Sequence, residues 1–193
     1  MSLKITLEDV DPPVVRKLDV PASITLARLH QAIQAAMGWE DRHLYLFEAG
    51  RISWGPDPDF DPPVEVATRW TLIRALEATG RRTLTYVYDL GDSWLHKIAV
   101  GRPAPPRSGI SYPLLIAAAN RCPPEDSGGA YGYAELRAAL ADPTHESHTD
   151  ALEMLGEHFD PHDEQGEHLA ARVQTLARRW AMKAARPKRP KSG

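Results

Sequence analysis

Asp89, Asp92 and His96 fall within the stretch Tyr86-Val87-Tyr88-Asp89-Leu90-Gly91-Asp92-Ser93-Trp94-Leu95-His96-Lys97-Ile98. Two carboxylates and an imidazole around a turn can converge on a metal or on a proton-transfer partner. A second dense segment, Pro123-Pro124-Glu125-Asp126-Ser127-Gly128-Gly129-Ala130-Tyr131-Gly132-Tyr133, supplies further acids beside glycines and tyrosines. Brought together by separate loops, Asp89, Asp92, Glu125 and Asp126 can hold a divalent ion such as Mg²⁺ or Mn²⁺, with His96 as general acid or base. That is the chemistry of a metal-assisted hydrolase. The aromatic residues Tyr86, Tyr88, Trp94, Tyr131 and Tyr133 can line a ligand pocket between the same two segments, which suits a binding module without catalysis.

The same residues have a structural reading. Asp89 and Asp92 are turn residues that bond their own backbone, Gly91 supplies a positive φ, and the aromatic side chains can simply pack between strands. Asp92 and His96 would then belong to a polar clasp joining the two segments. Gly128 and Gly129 can expose backbone N–H groups to a phosphate. With no lysine beside them and two acids before them, they are better suited to close backbone approach. Ser127 and Cys122 lack the partners of a nucleophile. His158 and His162 have the i, i+4 spacing of helical zinc ligands, but Pro161 between them favours a turn.

The elements that must position these groups follow from periodicity. Leu3, Ile5 and Leu7 alternate with polar residues, and Val14 to Val20 forms a second strand after Asp11-Pro12-Pro13. Leu26, Leu29, Ile33 and Met37 recur at helical spacing between Ser23 or Thr25 as cap and Gly38 as stop. Leu44 to Glu48 is a strand with His43 at its start. Gly55 to Pro63 is a proline-rich loop, a short strand falls near Val64 to Val66, and Trp70 to Glu77 suits a short helix. Thr83 to Tyr88 and Leu95 to Val100 form the hairpin that carries the first motif at its tip. Ile110 to Ala119 is open between strand and helix. Helices are expected at Ala134 to Ala141, Thr149 to Gly156 and along the Leu169, Val173, Leu176, Trp180 stripe.

The expected fold class is therefore α+β, a single domain over residues 1–184. A largely antiparallel sheet lies in the N-terminal half, helices pack on it, and a helical segment ends it. Residues 185–193 read as a basic tail without regular structure. One cysteine in 193 residues fits a reducing compartment. With no signal-peptide pattern and no membrane-length apolar run, a cytoplasmic protein is expected.

Charge is unevenly placed. Residues 125–167 hold 12 acids against one base, a net −11, whereas residues 168–193 hold eight bases and no acid. Arg178, Arg179, Lys183, Arg186, Lys188, Arg189 and Lys191 can contact nucleic-acid phosphates weakly and without sequence preference. The bland alternative is a solvated helix end and tail.

Five segments together resemble the plasmid pRiA4b ORF-3-like family. They are Thr25-Leu26-x-x-Leu29-His30 with Met37-Gly38-Trp39; His43-Leu44-Tyr45-Leu46-Phe47; the Tyr86 to Ile98 motif; the Pro123 to Tyr133 motif; and Phe159-Asp160-Pro161. The resemblance implies one mixed α/β domain and a setting on plasmids or other mobile elements, where an accessory role would fit; it implies no particular activity. Two departures stand out. Met154 takes the place of a tryptophan, and His162 to Gln165 is wholly polar where the family tends to have an aromatic residue.

Overall fold

A computed structural model describes residues 1–57 and 59–185. Within them, eight strands form one sheet in the order β5-β4-β3-β6-β7-β1-β2-β8. Its strands are β1 (Ser2–Leu7), β2 (Val15–Asp19), β3 (Tyr45–Ala49), β4 (Ile52–Gly55), β5 (Glu65–Val66), β6 (Thr83–Tyr88), β7 (Trp94–Val100) and β8 (Leu114–Ala119). Every neighbouring pair is antiparallel except β4 and β5. The helices are α1 (Leu26–Met37), α2 (Leu72–Thr79), α3 (Gly129–Ala141), α4 (His148–Leu155) and α5 (Gly166–Ala185). The molecule is a single α+β domain, as the alternation of the sequence implies.

Period-two burial makes only one face of the sheet apolar. Leu3, Ile5 and Leu7 of β1, Tyr45 and Phe47 of β3, Leu84, Tyr86 and Tyr88 of β6, and Trp94, His96 and Ile98 of β7 are all buried. Helix α1 covers this face with Leu26, Leu29, Ile33 and Met37, the residues whose spacing predicts it. Thr25 accepts a hydrogen bond from the Arg28 amide at its start, and Gly38, at φ +92°, closes its end. Buried Arg16 on β2 ties the layers together by donating to the carbonyls of Ala36 at the end of α1 (2.8 Å) and Ala119 on β8 (2.8 Å). Helix α5 packs against α1 and β8.

Three elements differ from the sequence expectation. The ambiguous stretch before Asn120 is strand β8, which pairs with β2 at the sheet edge. Strand β4, hidden beside the proline-rich loop, was not anticipated; it pairs with β3 through Phe47 and Trp54. Helix α3 begins at Gly129 rather than Ala134, so Tyr131 and Tyr133 are helical. Its glycines are there for space. A Cβ at Gly129 would lie 2.4 Å from the Asp92 carbonyl oxygen, and one at Gly132 would lie 2.4 Å from that of Ser127. Among the described residues no helix is long and apolar enough to cross a membrane. Most of the expected 185–193 tail, with Arg186, Lys188, Arg189 and Lys191, falls outside the described residues; Arg178, Arg179 and Lys183 are exposed on α5.

Candidate metal centre

The hairpin tip between β6 and β7 meets the Pro123 to Gly129 loop. Asp92 Oδ2 accepts from the Gly128 amide (3.0 Å), and the Tyr88 hydroxyl donates to Glu125 Oε1. Trp39 stacks on Tyr88 with ring centroids 4.9 Å apart and donates its indole N–H to the Pro123 carbonyl (2.9 Å). The two motif segments thus face each other, with the α1–β3 connection as a third wall.

That third wall brings in His43. Its Nε2 lies 2.9 Å from Asp126 Oδ1 and 3.6 Å from Asp89 Oδ2. One atom from each of the three residues fits within a 4.8 Å cluster, the only such group of three among the described residues. Neither carboxylate oxygen sits where a ring N–H could hydrogen-bond to it, so the buried Nε2 has no hydrogen-bond partner. Ligand atoms about 2.1 Å from a common ion stand roughly 3.0 to 3.4 Å apart in octahedral or tetrahedral arrangement. The observed 2.9 and 3.6 Å separations bracket that range.

Asp89 and His43 are held from behind. Asp89 has a left-handed backbone, φ +56°, and divides its carboxylate. Oδ1 accepts from the Gly91 amide (3.0 Å) and the Asp92 amide (3.3 Å), while Oδ2 faces His43. The turn role and the site role of Asp89 therefore use different oxygens. The Tyr88 hydroxyl accepts from the amides of Arg42 (2.9 Å) and His43 (3.3 Å), fixing the backbone that presents the imidazole. Burial and the Glu125 carboxylate both hold the Tyr88 phenol protonated, well above its ordinary range. Asp126, at φ +60°, is the most exposed of the three, its side chain 54% accessible against 30% for His43 and 12% for Asp89.

The remaining candidates from the sequence have other surroundings. The Glu125 side chain is only 8% accessible, its second oxygen accepting from the Glu40 amide (3.0 Å). Asp92 serves as the clasp described above. His96 is fully buried: its Nδ1 donates to the carbonyls of Trp94 (3.0 Å) and Tyr86 (3.2 Å), and its Nε2 has no partner. Burial pushes its pKa down to about 4. Of the five aromatic candidates, Tyr86, Tyr88, Trp94 and Tyr133 are buried and only Tyr131 presents its ring to solvent. His158 and His162 occupy an exposed turn, as Pro161 suggests. Histidine 43 is the residue that sequence reasoning placed in a strand start and gave no chemical role.

Comparison with known proteins agrees on kinship. An uncharacterised protein, y4hQ, of Sinorhizobium fredii is 43% identical over 187 residues, 95% of each chain. The crystal structure of a protein of unknown function from Methanosarcina mazei Go1 superposes with a TM-score of 0.77 at 32% identity, covering 86% of this chain and 94% of that one. The model of the family described as "Plasmid pRiA4b ORF-3-like protein" matches residues 1–167, which include His43, Asp89 and Asp126, and this chain belongs to that family.

Proposed function

We propose that the protein is a recognition module built around a divalent metal ion, held by His43 Nε2, Asp89 Oδ2 and Asp126 Oδ1. The observation that carries this reading is the buried, unpartnered Nε2 with two carboxylate oxygens at metal-ligand separations. One imidazole with two carboxylates suits Zn²⁺, Mn²⁺ or Fe²⁺ better than Mg²⁺ or Ca²⁺, which take oxygen ligands. Three protein ligands leave one to three coordination positions for water or for a ligand atom.

Those open positions also favour a second reading, metal-assisted hydrolysis, in which the ion lowers the pKa of a bound water. His96 has no path to such a water, since it is enclosed by the core. Catalysis would rest on the ion and on Asp126. The family's description supports a plasmid or mobile-element setting, and the lone cysteine a cytoplasmic one.

Isothermal titration of the wild-type chain with Zn²⁺, Mn²⁺ and Mg²⁺ tests the proposal. A single site with Kd below about 10 μM for Zn²⁺ or Mn²⁺ is expected, and at least a hundredfold weakening in His43→Ala, about 2.7 kcal/mol. No binding heat in the wild type, or undiminished binding in His43→Ala, would overturn it.

A further inference from the structure

Helix α1 covers one face of the sheet; the side chains that alternate with the core point to the other. On that open face Lys4 of β1, Glu48 of β3, and Leu95, Lys97 and Ala99 of β7 are exposed. Strand register sets two rows of side chains across it. Leu46 of β3 is opposite Val87 of β6, and Val87 is opposite Leu95 of β7, so three apolar side chains stand side by side about 5 Å apart. Leu44, exposed like Leu95, extends this patch one step along the same strand line. The row stops at Val64 and Phe60, which crowd Gly55 beside Leu46, and at Glu8, whose amide donates to the Leu95 carbonyl (2.8 Å). In the next row Glu48 is opposite Thr85, and Thr85 is opposite Lys97. Among the described residues neither Glu48 nor Lys97 is in an ion pair.

Both rows are self-complementary about β6. This strand has three strands on one side of it and four on the other. A two-fold axis running along β6, in the plane of the open face, therefore lays one sheet on another with β3 over β7. At that setting Leu46 meets Leu95 of the second copy, Val87 meets its own counterpart, and Glu48 meets Lys97 in both directions. An axis across the strands would also stack the leucines, but it would set Glu48 over Leu44. Only the first arrangement joins the apolar rows and neutralises both charges. Isologous contacts require this kind of self-complementarity, and sheets stacked face to face pack at about 10 Å with their side chains interdigitated.

We infer that the open face of the sheet docks a second copy of this chain, in a two-fold dimer centred on Val87. Leu44, Leu46, Val87 and Leu95 form its apolar centre, and the Glu48 and Lys97 pairs fix its orientation. A centre this small belongs to the weak, transient class of interfaces. The inference goes beyond the metal reading and does not depend on it.

Sedimentation velocity of the full chain in EDTA, over about 5 to 500 μM, tests the inference; a monomer–dimer equilibrium with Kd on the order of 10 to 100 μM is expected. Leu95→Glu should weaken association about tenfold or more, by placing a charge in the apolar row of both copies. Glu48→Lys and Lys97→Glu should each weaken it about threefold or more, by setting like charges together at two symmetry-related places. All three positions are exposed, so each variant should keep the wild-type melting temperature. Glu48→Lys and Lys97→Glu combined in one chain, which leaves net charge unchanged, should restore wild-type association. An equimolar mixture of the two single variants should associate more tightly than either alone, because both pairs are then opposite in sign. The inference is overturned by a wild type that stays monomeric throughout, a result that would leave the face to some other partner. It is equally overturned by a dimer that Leu95→Glu leaves intact, or by charge variants that neither the combined chain nor the mixture rescues.

Discussion

Two tyrosine–histidine–aspartate assemblies lie over the same face of the sheet, and they differ in whether their valences are filled. In the first, Gln34 donates to the Tyr86 oxygen (3.1 Å), so the Tyr86 proton is available to His30 Nδ1 (2.8 Å). His30 Nε2–H then donates to Asp41 Oδ1 (2.5 Å), and the Asp41 amide returns to Gln34 Oε1 (3.1 Å). Tyr45 stacks on His30 at 3.7 Å. The loop is closed, and Tyr86 is fully buried within it. In the second, Tyr88, His43, Asp89 and Asp126 bring the same residue types together, yet Nε2 of His43 has no hydrogen bond and Asp126 is half exposed. Composition alone does not separate a structural network from a site; unfilled valence beside solvent does.

The sharpest way to stress the buried side is acid. His96 has its pKa lowered to about 4 by burial, against 6.5 when unfolded. Between those values the unfolded chain binds the extra proton, so stability is complete above about pH 6.5 and falls as the pH drops toward 4. The loss amounts to roughly 3 kcal/mol, and it should shrink in His96→Leu when urea midpoints are compared across that range. Equal pH dependence in the two proteins would show that His96 is not the buried group responsible.

Removing the hydroxyl of Tyr86 leaves His30 and Gln34 without a buried partner. Tyr86→Phe should cost about 2 kcal/mol in denaturant unfolding while leaving metal affinity at the wild-type level. A large loss of metal binding in that variant would dissolve the distinction between the two assemblies. Tyr88→Phe sits at their junction. Its phenol orients His43 from outside the ligand set, so metal affinity should drop about tenfold by calorimetry. Smallest of the series, Asp92→Ala removes the bond to the Gly128 amide and should lower stability by about 1 kcal/mol, read as a lower melting temperature.

How far the sequence discloses all this depends on whether a feature is local. The β1–β2 hairpin, α1 with its caps and the β6–β7 hairpin are set by alternation, helical spacing and glycine, which act over a few residues. The facing of the two motif segments was also legible, because acids, glycines and tyrosines concentrate in both. The role of His96 could have been read from parity: Trp94, His96 and Ile98 share one strand face, opposite Leu95 and Lys97, so the imidazole enters the core with its neighbours. His43 offered no such local signal. It reaches the site because Tyr88, 45 positions away, holds the Arg42–His43 backbone. The early start of α3 was hidden because glycines that oppose a helix by propensity were there to let Asp92 and Ser127 approach.

The central claim is that His43, Asp89 and Asp126 are ligands of one ion. Anomalous diffraction from a crystal grown with Zn²⁺ tests it most directly. The account predicts a single strong peak about 2.0–2.2 Å from His43 Nε2 and from a carboxylate oxygen of both Asp89 and Asp126. A crystal with no peak at those three residues, or with its principal peak at His158 and His162, would contradict it.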